Sequence, residues 1–299
     1  MRVFITGASG FIGTAVTKEL VQHGHEVIGM ARTNAGAELV RKAGGQVHRA
    51  TLEDLESIKS GAATADGVIH AAFNHDFSKF AENCEADRRA IEALGEVLAG
   101  SNRPLVVTAG VGFSARGEVR TEQDAPNPAS PMMPRVSEQT AAAVQAKGVK
   151  AMVVRLPQVH DTQKQGLVTF SIEIARQKRE AAYIGDGLNR WASVHVSDAA
   201  SLYRLVLEKG AAGLRYNAVA EEGVSAKAIA EAIGKGLQIP VVSKTETEAQ
   251  EYYGWMVAFA AANLTASSAL TQERLGWRPT GVDLITDLHN MKMLTPVAG

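Results

Sequence analysis

Through the first 160 residues, short apolar runs alternate with longer stretches whose apolar positions recur at helical spacing. The short runs lie at 2–6, 26–30, 46–48, 67–70, 105–108 and 151–155, and each reads as a buried strand. Of the longer stretches the clearest places Ile12, Ala15, Val16, Leu20 and Val21 on one face and stops at Gly24, a residue suited to ending a helix. Buried strands joined by helix-length crossovers predict an α/β protein with a parallel sheet and helices on both of its faces. No period of 20–50 residues recurs, which argues against a solenoid.

The stretch 122–134 breaks the alternation. Pro126, Pro128, Pro131 and Pro134 among small polar residues predict a loop leading into a helix over 136–147. Beyond about residue 160 the strand–helix rhythm weakens. Gly185-Asp186-Gly187 marks a turn, and 198–209 and 226–237 read as helices.

Composition and charge then narrow the class. The chain of 299 residues carries 31 Lys+Arg against 32 Asp+Glu, a formal net charge of −1, where a nucleic-acid partner calls for a basic excess. A single cysteine, Cys84, excludes an intramolecular disulfide framework and fits a reducing compartment. No apolar run approaches the ~18 residues of a membrane span, and the N-terminus lacks a cleavable signal pattern. The expectation is a cytoplasmic protein with a small-molecule substrate and neither a membrane nor a nucleic-acid partner. Only five residues are tyrosines.

Between the first strand and the first helix lies Thr6-Gly7-Ala8-Ser9-Gly10-Phe11-Ile12-Gly13, a G-x-x-G-x-x-G spacing. A bound pyrophosphate needs a tight turn, a backbone it can approach closely, and free N–H groups at a helix N-terminus. Gly7 and Gly10 meet the first two needs, and Gly13 lets helix and strand pack closely. Dinucleotide binding follows from this strand–turn–helix context.

The glycine spacing and several later segments resemble the extended short-chain dehydrogenase/reductase superfamily over most of the chain. Asp66-Gly67-Val68-Ile69-His70-Ala71-Ala72 is similar to the family's fourth strand, and Arg155-Leu156-Pro157-Gln158-Val159-His160 to its strand-six turn. Trp191 to Ala200 matches a W-x-x-V-H-V-x-D-x-A signature, and Leu275-Gly276-Trp277-Arg278-Pro279 a C-terminal L-G-W-x-P. The resemblance implies a Rossmann-type, doubly wound parallel sheet. Residues 1–160 would form the NAD(P)-binding domain, while 161–299 would complete the sheet and form a smaller substrate lobe. It also implies cofactor contacts at Gly7, Ser9, Gly10, Phe11, Ile12 and Gly13, at Ala31, Arg32 and Thr33, at Leu52, at Ala71, Ala72 and Phe73, and at Thr108 and Pro157.

NAD-selective members carry an acidic residue at the end of the second strand, which binds the adenosine ribose hydroxyls. Ala31 stands there instead. Its lack of a carboxylate removes repulsion of a 2′-phosphate, Arg32 is suited to pairing with that phosphate, and Thr33 adds a hydroxyl. The expectation is NADP(H) in preference to NAD(H); otherwise Arg32 is an ordinary surface residue. In Ala50-Thr51-Leu52, Leu52 covers the adenine and Thr51 lacks the family's usual carboxylate.

Family enzymes pass a hydride to or from a carbonyl carbon while a tyrosine moves the proton, assisted by a lysine four residues on and a nearby serine or threonine. This chain lacks that pair: none of Tyr183, Tyr203, Tyr216, Tyr252 and Tyr253 is followed by lysine at the fourth position. The segment 130–138 contains neither residue type, Gly110 aligns with the serine, and Asp87 falls near the family's helical asparagine. The pattern resembles the atypical branch of the superfamily. Three replacement candidates carry two readings each. Thr108 either binds a carbonyl oxygen or positions cofactor and backbone. Arg135 either supplies charge to a ribose or substrate anion or is a helix-terminus surface cation. His160 is either a titrating group or a structural histidine. His195 and Asp198 are expected to fasten their segment to the sheet. No metal is expected from His70, His75 and Asp76, and no G-x-S-x-G elbow supports serine chemistry.

Two functional classes remain open: an NADP(H)-dependent oxidoreductase with a non-standard proton donor, and a catalytically silent NADP(H)-binding redox sensor or scaffold. A nucleotide-sugar epimerase or dehydratase is disfavoured by the missing tyrosine, with Arg190 its only diphosphate partner on offer. A cavity filled by Met132, Met133 and Phe113 would favour the silent class. A homodimer is expected through helices at 81–99 and 136–146, where Ala141-Ala142-Ala143 permits close approach.

Overall fold

The computed structural model describes residues 1–127 and 135–291. Its strands are β1 (Arg2–Thr6), β2 (Glu26–Ala31), β3 (Gln46–Arg49), β4 (Gly67–His70), β5 (Pro104–Gly110), β6 (Lys150–Leu156), β7 (Gln158–His160), β8 (Ala181–Ile184), β9 (Arg190–His195), β10 (Arg215–Asn217), β11 (Glu221–Ser225) and β12 (Val241–Lys244). The helices are α1 (Phe11–Gln22), α2 (Asn34–Lys42), α3 (Leu55–Ala63), α4 (Phe80–Leu98), α5 (Ser137–Ala146), α6 (Val168–Lys178), α7 (Val196–Lys209), α8 (Ala226–Leu237), α9 (Glu246–Tyr253), α10 (Val257–Ala261), α11 (Ala269–Leu275) and α12 (Leu284–His289).

Seven strands form one sheet in the order β10-β6-β5-β4-β1-β2-β3, and every pairing in it is parallel. The doubly wound α/β fold expected from the sequence is the one observed. Strand β1 shows why. Val3 and Ile5 join an apolar cluster with Val16 and Leu20 of α1 and Leu202 and Val206 of α7, whereas Phe4 between them joins Ile58 of α3 and Ile91 and Leu94 of α4. Successive side chains leave opposite faces of a strand, so an unbroken apolar run needs a helical layer on each side.

A third cluster gathers Val168 and Ile172 of α6, Trp191 of β9, Ile229 and Ile233 of α8, Tyr252 and Tyr253 of α9, and Leu284 and Leu288 of α12. Two small sheets, β11-β9-β7 and β12-β8, belong to this later part of the chain. Strand β10 crosses back to pair with β6. Asp198 fastens its segment to the C-terminal stretch and not, as expected, to the sheet: its carboxylate accepts the backbone N–H groups of Thr280 and Gly281, and its carbonyl accepts Trp277 Nε1 at 3.1 Å. His195 caps α7, with Nδ1 2.7 Å from Ser197 Oγ. Glu221 similarly accepts the Leu284 N–H at 2.9 Å. No helix among the described residues is long and apolar enough to cross a membrane. Of the proline-rich segment, Pro128, Pro131 and Pro134, and with them Met132 and Met133, lie outside the described residues.

Candidate active site

Strand order reverses between β1 and β4, and this is where an open parallel sheet leaves a crevice at its carboxyl edge. A cleft of about 730 Å³ occupies that edge. It is lined at one end by the glycine turn, in the middle by the ends of β4, β5 and β6, and at the other by apolar residues of the later chain.

The glycine turn is built as its spacing predicts. Gly7 has φ +73°, a backbone region costly for residues with a Cβ, and a Cβ there would lie 2.7 Å from the Ala72 nitrogen. A Cβ on Gly13 would lie 2.1 Å from the Gly7 carbonyl oxygen, so α1 can close onto the turn only with glycine. Gly10 is the N-cap of α1, and no side chain caps the helix. Phe11, Ile12 and Gly13 line the cleft at that first turn, where N–H groups lack intrahelical acceptors. Uncapped donors at a helix start beside a close-approach turn fit the pyrophosphate of a dinucleotide.

At the adenosine end, Arg32, Ala50, Thr51, Leu52 and Glu53 line the cleft. Arg32 is exposed, and its guanidinium forms no ion pair among the described residues. Two expected contacts are displaced. Ala31 is 2% exposed and packs with Ala37 and Val40, because the last residue of β2 points into the core. Thr33 does not line the cleft; it is the N-cap of α2, its hydroxyl oxygen accepting the Gly36 N–H at 3.1 Å while its own proton stays available to donate. Nearby, Arg49 donates to Asn34 Oδ1 at 2.6 Å, adding a second guanidinium beside the start of α2.

Ser9, Gly10, Ala71, Ala72, Phe73, Thr108 and Pro157 all reach the cleft, as do Gly7 and Leu52. Thr108, however, is committed elsewhere. Its hydroxyl donates to the His70 carbonyl at 2.7 Å and lies 2.7 Å from the Tyr203 hydroxyl, which therefore donates to it. The single hydroxyl proton is used, so Thr108 positions backbone and does not polarise a carbonyl oxygen. Burial pushes the Tyr203 phenol above its ordinary value, which keeps it protonated as that donor. Gly110, at the serine position, is exposed and lines the cleft.

Arg135 also lines the cleft, and it heads a chain of polar groups that the sequence did not reveal. Its Nε donates to Ser137 Oγ at 2.8 Å, an Nη donates to the Thr108 carbonyl at 3.1 Å, and its guanidinium lies 4.2 Å from the centroid of the Phe73 ring. Ser137 donates to Asp87 Oδ2 at 2.5 Å, and Asp87 Oδ1 is 3.1 Å from His70 Nε2. His70 Nδ1 is 2.9 Å from Thr6 Oγ1, which also accepts the Ala72 N–H. The donors run in consistent directions when His70 carries its proton on Nε2. Burial alone would raise the Asp87 carboxyl, but the His70 hydrogen bond, the Arg135 charge and the Ser137 hydroxyl outweigh it and hold the group below the usual carboxylate range. The second reading of Arg135, a plain surface cation, is corrected by this anchorage. Ser137 carried no local motif, and only the Asp87 alignment hinted at the network.

His160 does not reach the cleft. It is fully buried in β7, with Nδ1 2.7 Å from Asp287 Oδ2, and burial lowers its pKa below the usual imidazole value despite that carboxylate. It ties β7 to α12 as a structural histidine. The remaining wall contains Val111, Phe113, Leu167, Phe170, Phe259 and Leu264, with Arg120 and Lys164 among them. Glu138 faces the same region, but Arg155 binds it through two contacts of 2.8 Å and Arg215 adds a third at 3.1 Å, so its charge is neutralised.

Residues 3–219 match the model of the NAD dependent epimerase/dehydratase family. An uncharacterized protein of Schizosaccharomyces pombe is 46% identical over 96% of this chain and 98% of its own length. A sterol-4-alpha-carboxylate 3-dehydrogenase, decarboxylating, of Dictyostelium discoideum is 24% identical over 70% of this chain and 68% of its own. Among solved structures, a dTDP-glucose 4,6-dehydratase of Streptomyces venezuelae with NAD bound superposes with a TM-score of 0.76 over 97% of this chain and 95% of that one, at 18% identity, and shares the fold. With the matched family model covering most of the sheet and the whole glycine turn, the chain belongs to the NAD dependent epimerase/dehydratase family, within the extended short-chain dehydrogenase/reductase superfamily.

Proposed function

We propose that the protein is an NADP(H)-dependent oxidoreductase that interconverts a small carbonyl compound and its alcohol. One observation carries this reading. A single continuous cleft joins the glycine turn and Arg32 to an apolar chamber, with the anchored Arg135 between them beside the ends of β5 and β6. The relative named as a sterol dehydrogenase supports oxidoreduction, and the missing tyrosine base weighs against epimerase or dehydratase chemistry.

The uncapped first turn of α1 holds the pyrophosphate and Arg32 the 2′-phosphate. When bound, NADPH supplies the hydride. Arg135 stabilises the negative charge that develops on the carbonyl oxygen, from a position fixed by Ser137, the Thr108 carbonyl and the Phe73 ring. Water entering the open cleft delivers the proton to that oxygen. Phe113 and Leu264 line the apolar side of the cleft.

The test is a screen of aldehydes and ketones that follows NADPH oxidation. An active pair is expected, and Arg135→Met should then lower kcat by ~10²-fold while NADPH affinity changes little. Tight NADPH binding without oxidation by any carbonyl in the screen would assign the protein to the silent cofactor-binding class instead.

A further inference from the structure

The charges at the substrate end of the cleft do not balance. Glu138 is neutralised by Arg155 and Arg215, and Arg135 has Asp87 at 3.9 Å, but Arg120 has no carboxylate partner among the described residues. The Arg120 side chain is held by backbone carbonyls alone: one Nη donates to the Phe113 carbonyl at 2.9 Å and the other to that of Ala125. Its Nε is buried and has no acceptor. Its backbone is equally fixed, since its N–H donates to the Thr265 carbonyl and its carbonyl accepts the Ser267 N–H. Asp124 is its acidic neighbour, with a carboxyl lowered first by the Thr121 N–H and in part by the Arg120 charge, but the two form no direct ion pair. A guanidinium placed this rigidly and without a directly bound carboxylate is poised to take one, because partly desolvated cations favour a paired state.

Its surroundings define the rest of the ligand. Phe113 and Phe259 stack with centroids 6.1 Å apart, and Phe170 and Leu167 complete the apolar wall. Lys164 lines the same end. The positive field is felt by His75, also in the lining, whose imidazole is lowered first by burial and then by the charges of Arg135 and Lys164. A fixed cation beside aromatic walls suits a monoanion with an apolar body.

We propose that this end of the cleft takes an oxo acid, a carbonyl compound with a carboxylate and an apolar body, and that Arg120 holds the carboxylate. The proposal rests on the oxidoreductase reading for the fate of the carbonyl, but binding alone tests it. The protein loaded with NADP⁺, which cannot turn over an oxo compound, is titrated calorimetrically with 4-methyl-2-oxopentanoate, with 5-oxohexanoate, and with the methyl ester of each. At least one acid is expected to bind roughly tenfold or more tightly than its ester. Arg120→Gln should remove that preference with NADP⁺ affinity unchanged, and Arg120→Lys, which keeps the charge, should retain part of it.

Equal affinity for acid and ester, binding of neither acid, or a preference untouched by Arg120→Gln would overturn the proposal. The acid–ester comparison on the unaltered protein decides even if the glutamine variant fails to fold. Tighter binding of a nucleotide-diphosphate sugar than of either acid would also overturn it. An acid preference without consumption of NADPH in the loaded protein would leave the anion site standing and remove the reductase reading.

Discussion

His160 and Asp287 illustrate a residue whose chemistry the chain spends on structure. Burial holds the imidazole below its ordinary value of 6.5, so the folded protein binds that proton less readily than the unfolded chain. The resulting stability is fully present above pH 6.5 and is lost as the pH falls through that value toward the lower folded one. Thermal unfolding should therefore show Tm falling as the pH drops from 7 through 6.5, by at most roughly 2–4 °C per pH unit from this group. His160→Gln keeps a donor for Asp287 without the titration, and should flatten that part of the profile. An unchanged slope in the variant would show that His160 does not carry it. At this scale residues differ in how far local pattern reveals them. Arg32 could be placed at the cleft from its position just after β2, where it lines the cleft. Ser137 could not, because a lone serine has meaning only once Asp87 and Arg135 are brought beside it by α4 and α5.

Elements were most readable where burial repeats with a fixed period. Strands β1, β2, β4, β5 and β6 are buried along nearly their whole length, and α1 carries its apolar stripe on one face, so their types and places follow from pattern. Strands β7, β10 and β12 are three or four residues long, and β12 alternates exposed with half-buried positions. Their pairing comes from neighbours distant in sequence, as with β12 on β8, and has little local signature. The glycine turn belongs to this scale as well, because it fixes how α1 meets β1. Gly13→Ala places a methyl group against the Gly7 carbonyl, where no flexible side chain can give way. It should destabilise the fold by roughly 1–3 kcal/mol and weaken NADPH binding at least tenfold, read by thermal unfolding and by fluorescence titration. Wild-type-like values for both would mean that α1 does not need this approach.

At the scale of the whole molecule, the cleft is assembled from long-range contacts. Arg120 is fixed by residues 265–267, Glu122 accepts from Thr271, and Arg155 holds the carbonyls of Thr121 and Asp124. The glycine-turn end of the cleft was legible because its motif is contiguous, whereas the other end depends on pairs separated by up to about 150 positions. The same assembly makes the cofactor preference the most direct test of the account, since it depends on Arg32 presenting an unpaired charge at one end of the completed cleft. The measurement is the dissociation constant of NADPH and of NADH, by fluorescence titration, for the unaltered protein and for Arg32→Ala. The account predicts NADPH bound at least tenfold more tightly than NADH, with the difference largely abolished in the variant. NADH bound as tightly as NADPH, or NADPH binding unchanged by Arg32→Ala, would contradict it.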